Sequence, residues 1–189
     1  MDKYYITAQE LLEDSFRLAH QVFDDGFRPE FIVAIWRGGA PIGIAVQEFF
    51  EYKNVTTDHI SVRTSSYYGI GKQSREIKVH GLHYIIENCN AADKLLIVDD
   101  VFDTGRSIEA IIDELKRRTR LNTPSDIRVA VPYYKPSRNQ TGRVPDYYIH
   151  ETEGWLKYPH SLEGLSNEEI KKGRPDLYEI IKDHLPKEG

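Results

Sequence analysis

An α/β architecture, a mostly parallel twisted sheet flanked by helices, is predicted for this chain by two observations. Short apolar runs of strand length alternate along the chain with stretches whose apolar residues recur at i, i+3, i+4 and i+7, the pattern of parallel strands joined by helical crossovers. The second observation is local: within residues 95–107, LLIVDDVFDTGRS, the period switches from strand to helix across one short turn. A chain of 189 residues, 40% hydrophobic and 29% charged, suits a single domain spanning 1–189 with a sizeable core, and it shows no internal repeat or low-complexity segment.

The elements follow in order. Thr7 to Glu10 makes a capping box, and Leu12, Phe16, Ala19 and Phe23 then share one face of a helix that ends near Gly26. Residues 31–36 read as a strand, which delivers the chain through Arg37-Gly38-Gly39 into a second helix over about 41–50. A strand near 59–64 precedes the polar, glycine-bearing stretch 65–73 and the short run Ile77-Lys78-Val79. Leu95 to Val98, flanked by Lys94 and Asp99, is continuously apolar, as a central strand buried on both faces must be. After Gly105, Ile108, Ile111, Ile112 and Leu115 mark one face of the next helix. Strands over 127–133 and 147–150 complete an expected sheet of five, and Ser166 and Pro175 are helix-start signals in the closing segment 166–189.

The chemistry concentrates after the apolar run of 95–98. A helix that opens at the carboxyl end of a strand presents first-turn N–H groups that have no intrahelical partner and carry the positive end of the dipole. Gly105 lets backbone approach closely, and Thr104 and Ser107 add hydroxyls, so a phosphate monoester fits there. Asp99 and Asp100 stand just upstream, where carboxylates can bind vicinal sugar hydroxyls and help hold magnesium. In open α/β sheets ligands bind beyond the carboxyl ends of the strands, which is where Arg37, residues 99–107 and Lys135 all fall.

Charge and composition exclude other classes. A net charge of −5 argues against a nonspecific nucleic-acid grip, which needs a basic face to displace counterions. The single Cys89 cannot form an intramolecular disulfide, and no apolar run is long enough to span a bilayer, so a cytoplasmic setting without a membrane partner is expected. The seven histidines show no metal-ligand spacing with one another, so a structural zinc site is not expected.

Two adjacent acids, two intervening residues and then Asp-Thr-Gly with a hydroxyl two positions on resemble the phosphoribosyl-diphosphate signature of the type I phosphoribosyltransferases, with Arg106 and Ser107 where lysine and threonine are common. The resemblance covers about 31–163 and is strongest to the 6-oxopurine, hypoxanthine-guanine members. It implies the type I fold, with a small hood over the base site at about 153–165 and C-terminal helices that pack or make oligomer contacts at 166–189. It implies that Arg37, Gly38 and Gly39 form the diphosphate loop, often entered through a cis peptide bond, and that Ser66 and Tyr67 belong to a mobile lid over 65–75. Thr104, Gly105, Arg106 and Ser107 would hold the 5′-phosphate. Asp99 and Asp100 would hold the ribose hydroxyls and, with Glu163 of the hood, magnesium. Lys135 would donate to the purine 6-oxygen, Trp155 and Leu156 would contact the base, and Asp103 would handle the purine N7 proton. A fixed ammonium donor matches an oxygen acceptor at position 6 and mismatches the amino group of adenine. The expected substrates are phosphoribosyl diphosphate and hypoxanthine, guanine or xanthine in purine salvage, with Mg2+ as cofactor and a homodimer or homotetramer as the assembly. Two alternatives stay open, a sister enzyme for adenine or orotate, and a nucleotide-sensing regulator on the same fold.

Overall fold

The computed structural model describes residues 3–68 and 75–185, and these fall into two compact units, Gln9–Glu153 and Met1–Ala8 with Gly154–Gly189. Helix α1 (Ala8–Asp24) opens the larger unit, burying Leu11, Ser15, Leu18, Ala19 and Val22 and leaving Leu12 and Phe16 exposed. Strand β2 (Phe31–Trp36) follows, then α2 (Gly39–Tyr52), β3 (Asp58–Tyr68) and β4 (Arg75–His80). The chain continues through α3 (His83–Asn88), β5 (Lys94–Val98), β6 (Val101–Phe102), α4 (Arg106–Thr119), β7 (Asp126–Tyr134) and β8 (Tyr147–Glu151).

These strands form one seven-stranded sheet in which β2, β3, β5, β6, β7 and β8 pair in parallel and β4 returns antiparallel on β3. The five expected strands are present, and two more flank the chemistry. Strand β4 pairs antiparallel with β3, with Ser66 opposite Ile77 and Tyr67 opposite Glu76. Strand β6 resumes the line of β5 along β7 once Asp99 and Asp100 have interrupted it, Val98 facing Ala130 and Val101 facing Tyr133. Residues 69–74 of the expected lid lie outside the described residues.

Both faces of the sheet are covered, which explains the continuous apolar run in β5. Val33, Ile35, Leu95, Ile97, Val129 and Val131 meet Ile108, Ile111, Ile112 and Leu115 of α4 in one core. On the other face Gly43 of α2 lies so close to Ala34 that a Cβ there would stand 2.6 Å from the alanine methyl. Leu95, Leu96, Ile97 and Val98 have no solvent exposure, and each such side chain contributes about 1.5–3 kcal/mol on burial. Phe23 of α1 meets Phe49 and Phe50 of α2 at ring-centroid distances of 5.9 and 6.1 Å, edge-on to the first and tilted to the second, packing that fixes one helix on the other.

In the smaller unit β1 (Lys3–Tyr5) pairs in parallel with β9 (Trp155–Lys157). Arg174 ties the pair together by donating to the carbonyls of Ile6 and Lys157 at 2.8 and 2.9 Å. Ser166 caps α5 (Asn167–Gly173) in a reciprocal capping box with Glu169, and Pro175 opens α6 (Pro175–Ile181), so both helix-start signals hold. Among the described residues no helix is long and apolar enough to cross a membrane.

Candidate active site

The larger unit gathers most of the expected residues at the carboxyl ends of β2, β5 and β7. Because β2 and β5 are parallel neighbours, with Ala34 beside Val98, the turns that leave them emerge side by side. The Trp36–Arg37 peptide is cis, as the resemblance implied, and Gly38 and Gly39 open α2. This loop lies directly on the acids. A Cβ on Gly38 would overlap the Asp100 carboxylate, and one on Gly39 would stand 2.5 Å from the Val98 carbonyl oxygen and 2.9 Å from Asp99 Cα. The paired glycines are therefore a packing requirement of the juxtaposed strand ends. Gly39→Ala is expected to destabilise the fold by about 1–3 kcal/mol, since the clash is with backbone. Gly142→Ala, which meets nothing within 4 Å, serves as the near-neutral control, and urea denaturation of both variants is the check.

Asp99 and Asp100 are half-buried, and Asp99 Oδ1 accepts from the Asp100 amide at 2.9 Å. Burial raises the pKa of both carboxyls. Asp99 is pushed well above the usual range, first by desolvation and then by the charge of Asp100, and Asp100 is pushed up to about 6 by desolvation against the pull of nearby backbone amides. Two adjoining carboxyls offer the hard oxygen donors that a divalent cation takes. The residues present thus fit magnesium.

The turn into α4 follows. Gly105 caps α4 with φ of 76°, a left-handed conformation open to glycine, and a Cβ there would meet Thr141 Oγ1 at 2.6 Å and the Phe102 ring at 2.7 Å. The Gln140 amide donates to the Thr104 carbonyl at 3.1 Å, so the loop after β7 braces the turn from outside. Ser107 on the first turn of α4 accepts from Thr64 of β3 through their hydroxyls at 3.4 Å, a long contact that links β3 to the start of α4. Arg106 is the first residue of that helix.

Lys135 and Asp103 are neighbours across β6 and β7. The Lys135 amide donates to the Phe102 carbonyl at 2.9 Å, and Tyr134 stands beside Phe102 in the register. The Lys135 side chain is buried. Asp103 faces Arg138, whose Nε lies 2.6 Å from Asp103 Oδ1 as an ion contact without hydrogen-bond alignment. That contact and the brace by Gln140 and Thr141 have no counterpart in the sequence reading. Their signal, two arginines and an Asn-Gln-Thr-Gly turn directly after Lys135, is visible only once β6 and β7 are known to be paired.

Trp155, Leu156 and Glu163 belong to the smaller unit. The Trp155 indole is 52% exposed, so it is no core tryptophan. Lys157, buried beside it, donates to the Glu163 carbonyl at 2.7 Å and stands 5.8 Å from the Trp155 ring, a cation–π distance.

Comparison with known proteins agrees with this geometry. The family model described as the phosphoribosyl transferase domain matches residues 5–163. The chain is 26% identical to a hypoxanthine-guanine phosphoribosyltransferase of Lactococcus lactis over 149 residues, which are 78% of this chain and 75% of that one. Among solved structures, a purine phosphoribosyltransferase from Pyrococcus horikoshii aligns with a TM-score of 0.67 at 26% identity, over 88% of this chain and 98% of that chain. The xanthine-guanine-hypoxanthine phosphoribosyltransferase of Helicobacter pylori aligns with a TM-score of 0.66 at 18% identity, over 97% of this chain and all (100%) of that chain, a likeness of fold. With the acid pair, the glycine-capped turn into α4 and the cis-entered double-glycine loop meeting at the strand ends, and the family model spanning most of its length, the chain belongs to the phosphoribosyl transferase domain family.

Proposed function

We propose that this protein transfers 5-phosphoribose from phosphoribosyl diphosphate to N9 of a 6-oxopurine, hypoxanthine or guanine and by the same contacts xanthine, releasing diphosphate in purine salvage. The observation that carries the reading is the pairing of Lys135 and Asp103 on adjoining strand ends, next to the phosphate turn. A lysine donor beside a carboxylate acceptor complements an oxopurine edge, which offers an oxygen at position 6 and an N–H at N7. The Lactococcus and Pyrococcus relatives support the purine class.

Each residue group then has a task in the reaction. Thr104 to Ser107 hold the 5′-phosphate through first-turn amides and hydroxyls. Asp99 and Asp100 take the ribose hydroxyls, and their charge stabilises the cation that develops at C1′. Arg37 and the amides of Gly38 and Gly39 hold the leaving diphosphate. The N9 lone pair forms the new bond to C1′ as the bond from C1′ to the diphosphate oxygen breaks, its electrons leave with diphosphate, and the N7 proton passes to Asp103. Magnesium held by Asp99 and Asp100 would supply charge neutralisation for the leaving group. Ser66 and Tyr67 fit a lid that keeps water from the ribosyl cation. The base contacts expected of Trp155 and Leu156, and the magnesium role expected of Glu163, belong to the same proposal.

Incubation with phosphoribosyl diphosphate, magnesium and one free base at a time, followed by chromatography of the nucleotides, tests the reading. Hypoxanthine and guanine should give IMP and GMP, and EDTA should abolish both products until magnesium is restored. AMP or orotidylate as the main product would remove the oxopurine assignment, and no nucleotide from any base would favour a regulator.

A further inference from the structure

We propose that Arg138 is the positioning residue of the Asp103 carboxylate, and that the short 3-10 turn carrying it, Pro136–Arg138, sets the spacing between the donor Lys135 and the acceptor Asp103. The inference rests on the reading above of those two side chains as the groups that meet the purine edge.

The turn is fixed at both ends. Lys135 is tied to the Phe102 carbonyl at 2.9 Å, one residue before Asp103, and the Arg138 amide closes the turn on the Lys135 carbonyl at 3.2 Å. Its middle is held from the end of β8, where Glu153 accepts from the Ser137 amide at 3.1 Å and from the Ser137 hydroxyl. These bonds, with the charges of Lys135 and Arg138, hold the Glu153 carboxyl below its usual range, so it remains an anionic anchor. From this base Arg138 reaches Asp103 Oδ1 at 2.6 Å.

The contact divides the carboxylate. Oδ1 is shut off from solvent and has no hydrogen-bond partner, while the Asp103 side chain as a whole is 34% exposed. Its open side is therefore away from Arg138, where Oδ2 can meet a purine N7–H. A half-exposed ion pair contributes little to stability, so the natural role of this one is orientation. One turn then places Lys135 for O6 at its start and orients Asp103 for N7 from its end, and O6 and N7 are adjacent on the base. A carboxylate left to rotate would meet N7–H in fewer of its conformations, which lowers turnover more than binding.

Steady-state kinetics of the parent, Arg138→Met, Arg138→Lys, Asp103→Asn and the Arg138→Met/Asp103→Asn double variant test this. Arg138→Met should lower kcat by about 10- to 10²-fold, with KM for phosphoribosyl diphosphate and the melting temperature near those of the parent. Arg138→Lys, which keeps the charge, should recover part of the loss. In the Asp103→Asn background the same substitution should change kcat by less than about twofold, because the two residues act as one unit. Parent-like turnover of Arg138→Met, or a full additional loss in the double variant, would overturn the inference while leaving the functional reading intact. A parent that forms no nucleotide, or an unimpaired Asp103→Asn, would instead overturn the reading on which it rests.

Discussion

Asp103→Asn is expected to lower kcat by about 10²–10⁴-fold, the usual range for loss of a positioned general acid or base. The fold should survive. Gly105, not Asp103, occupies the N-cap of α4, and its helix-opening geometry comes from its own left-handed backbone and from packing on Thr141 and Phe102. Binding of the 5′-phosphate should also survive, because the amides of residues 104–107 are untouched. Asparagine fills the same space and keeps an acceptor oxygen but cannot take a proton at neutral pH. The loss should therefore appear in kcat, with KM for phosphoribosyl diphosphate nearly constant. Turnover within a factor of about three of the parent lies far below the range for acid–base catalysis and would remove Asp103 from proton handling.

The discrimination between hypoxanthine and adenine carries the other large effect. Lys135 is buried, and its ammonium has donors only. Adenine presents an amino group at position 6, so donor would meet donor, a mismatch worth about 10⁴–10⁵ in kcat/KM at sites built around a hydrogen bond. Lys135→Gln offers both a donor and an acceptor. It should slow hypoxanthine and guanine while narrowing the gap to adenine, and the ratio of kcat/KM values for hypoxanthine and adenine measures this. Comparable parent activity on the two bases, or a mutant with unchanged preference, would show that Lys135 does not read position 6.

The parts of this site that were legible in the sequence are contiguous, and the parts that were not are tertiary. The run from Leu95 to Ser107 could be read because burial on both faces, the acid pair and the switch to helical period all lie within one segment. Arg37-Gly38-Gly39 could be read as a loop at a strand end, but its contact with Asp99 and Asp100 follows from the parallel pairing of β2 and β5, which no local pattern states. Strand β6 leaves no such pattern because it has only two residues, Val101 and Phe102, held by β7 and not by any alternation of their own. Strand β4 was visible only as the apolar positions of Ile77-Lys78-Val79, and the antiparallel register with β3 made it a strand. The ion contact of Arg138 with Asp103 joins residues that are distant in the chain and close only because β6 lies beside β7. An arginine in a loop after a strand carries no signal of its partner.

The central claim is that one active site joins the ribosyl carbon of phosphoribosyl diphosphate to N9 of an oxopurine as diphosphate departs. Phosphorus NMR of a single sample containing protein, magnesium, phosphoribosyl diphosphate and hypoxanthine follows that exchange directly. The account predicts that the donor's diphosphate resonances give way to those of free diphosphate and its 5′-phosphate resonance to that of IMP, the two products in equimolar amounts, with no change when hypoxanthine is left out. Diphosphate released without base, or a donor that persists unchanged with hypoxanthine and guanine both present, would contradict it.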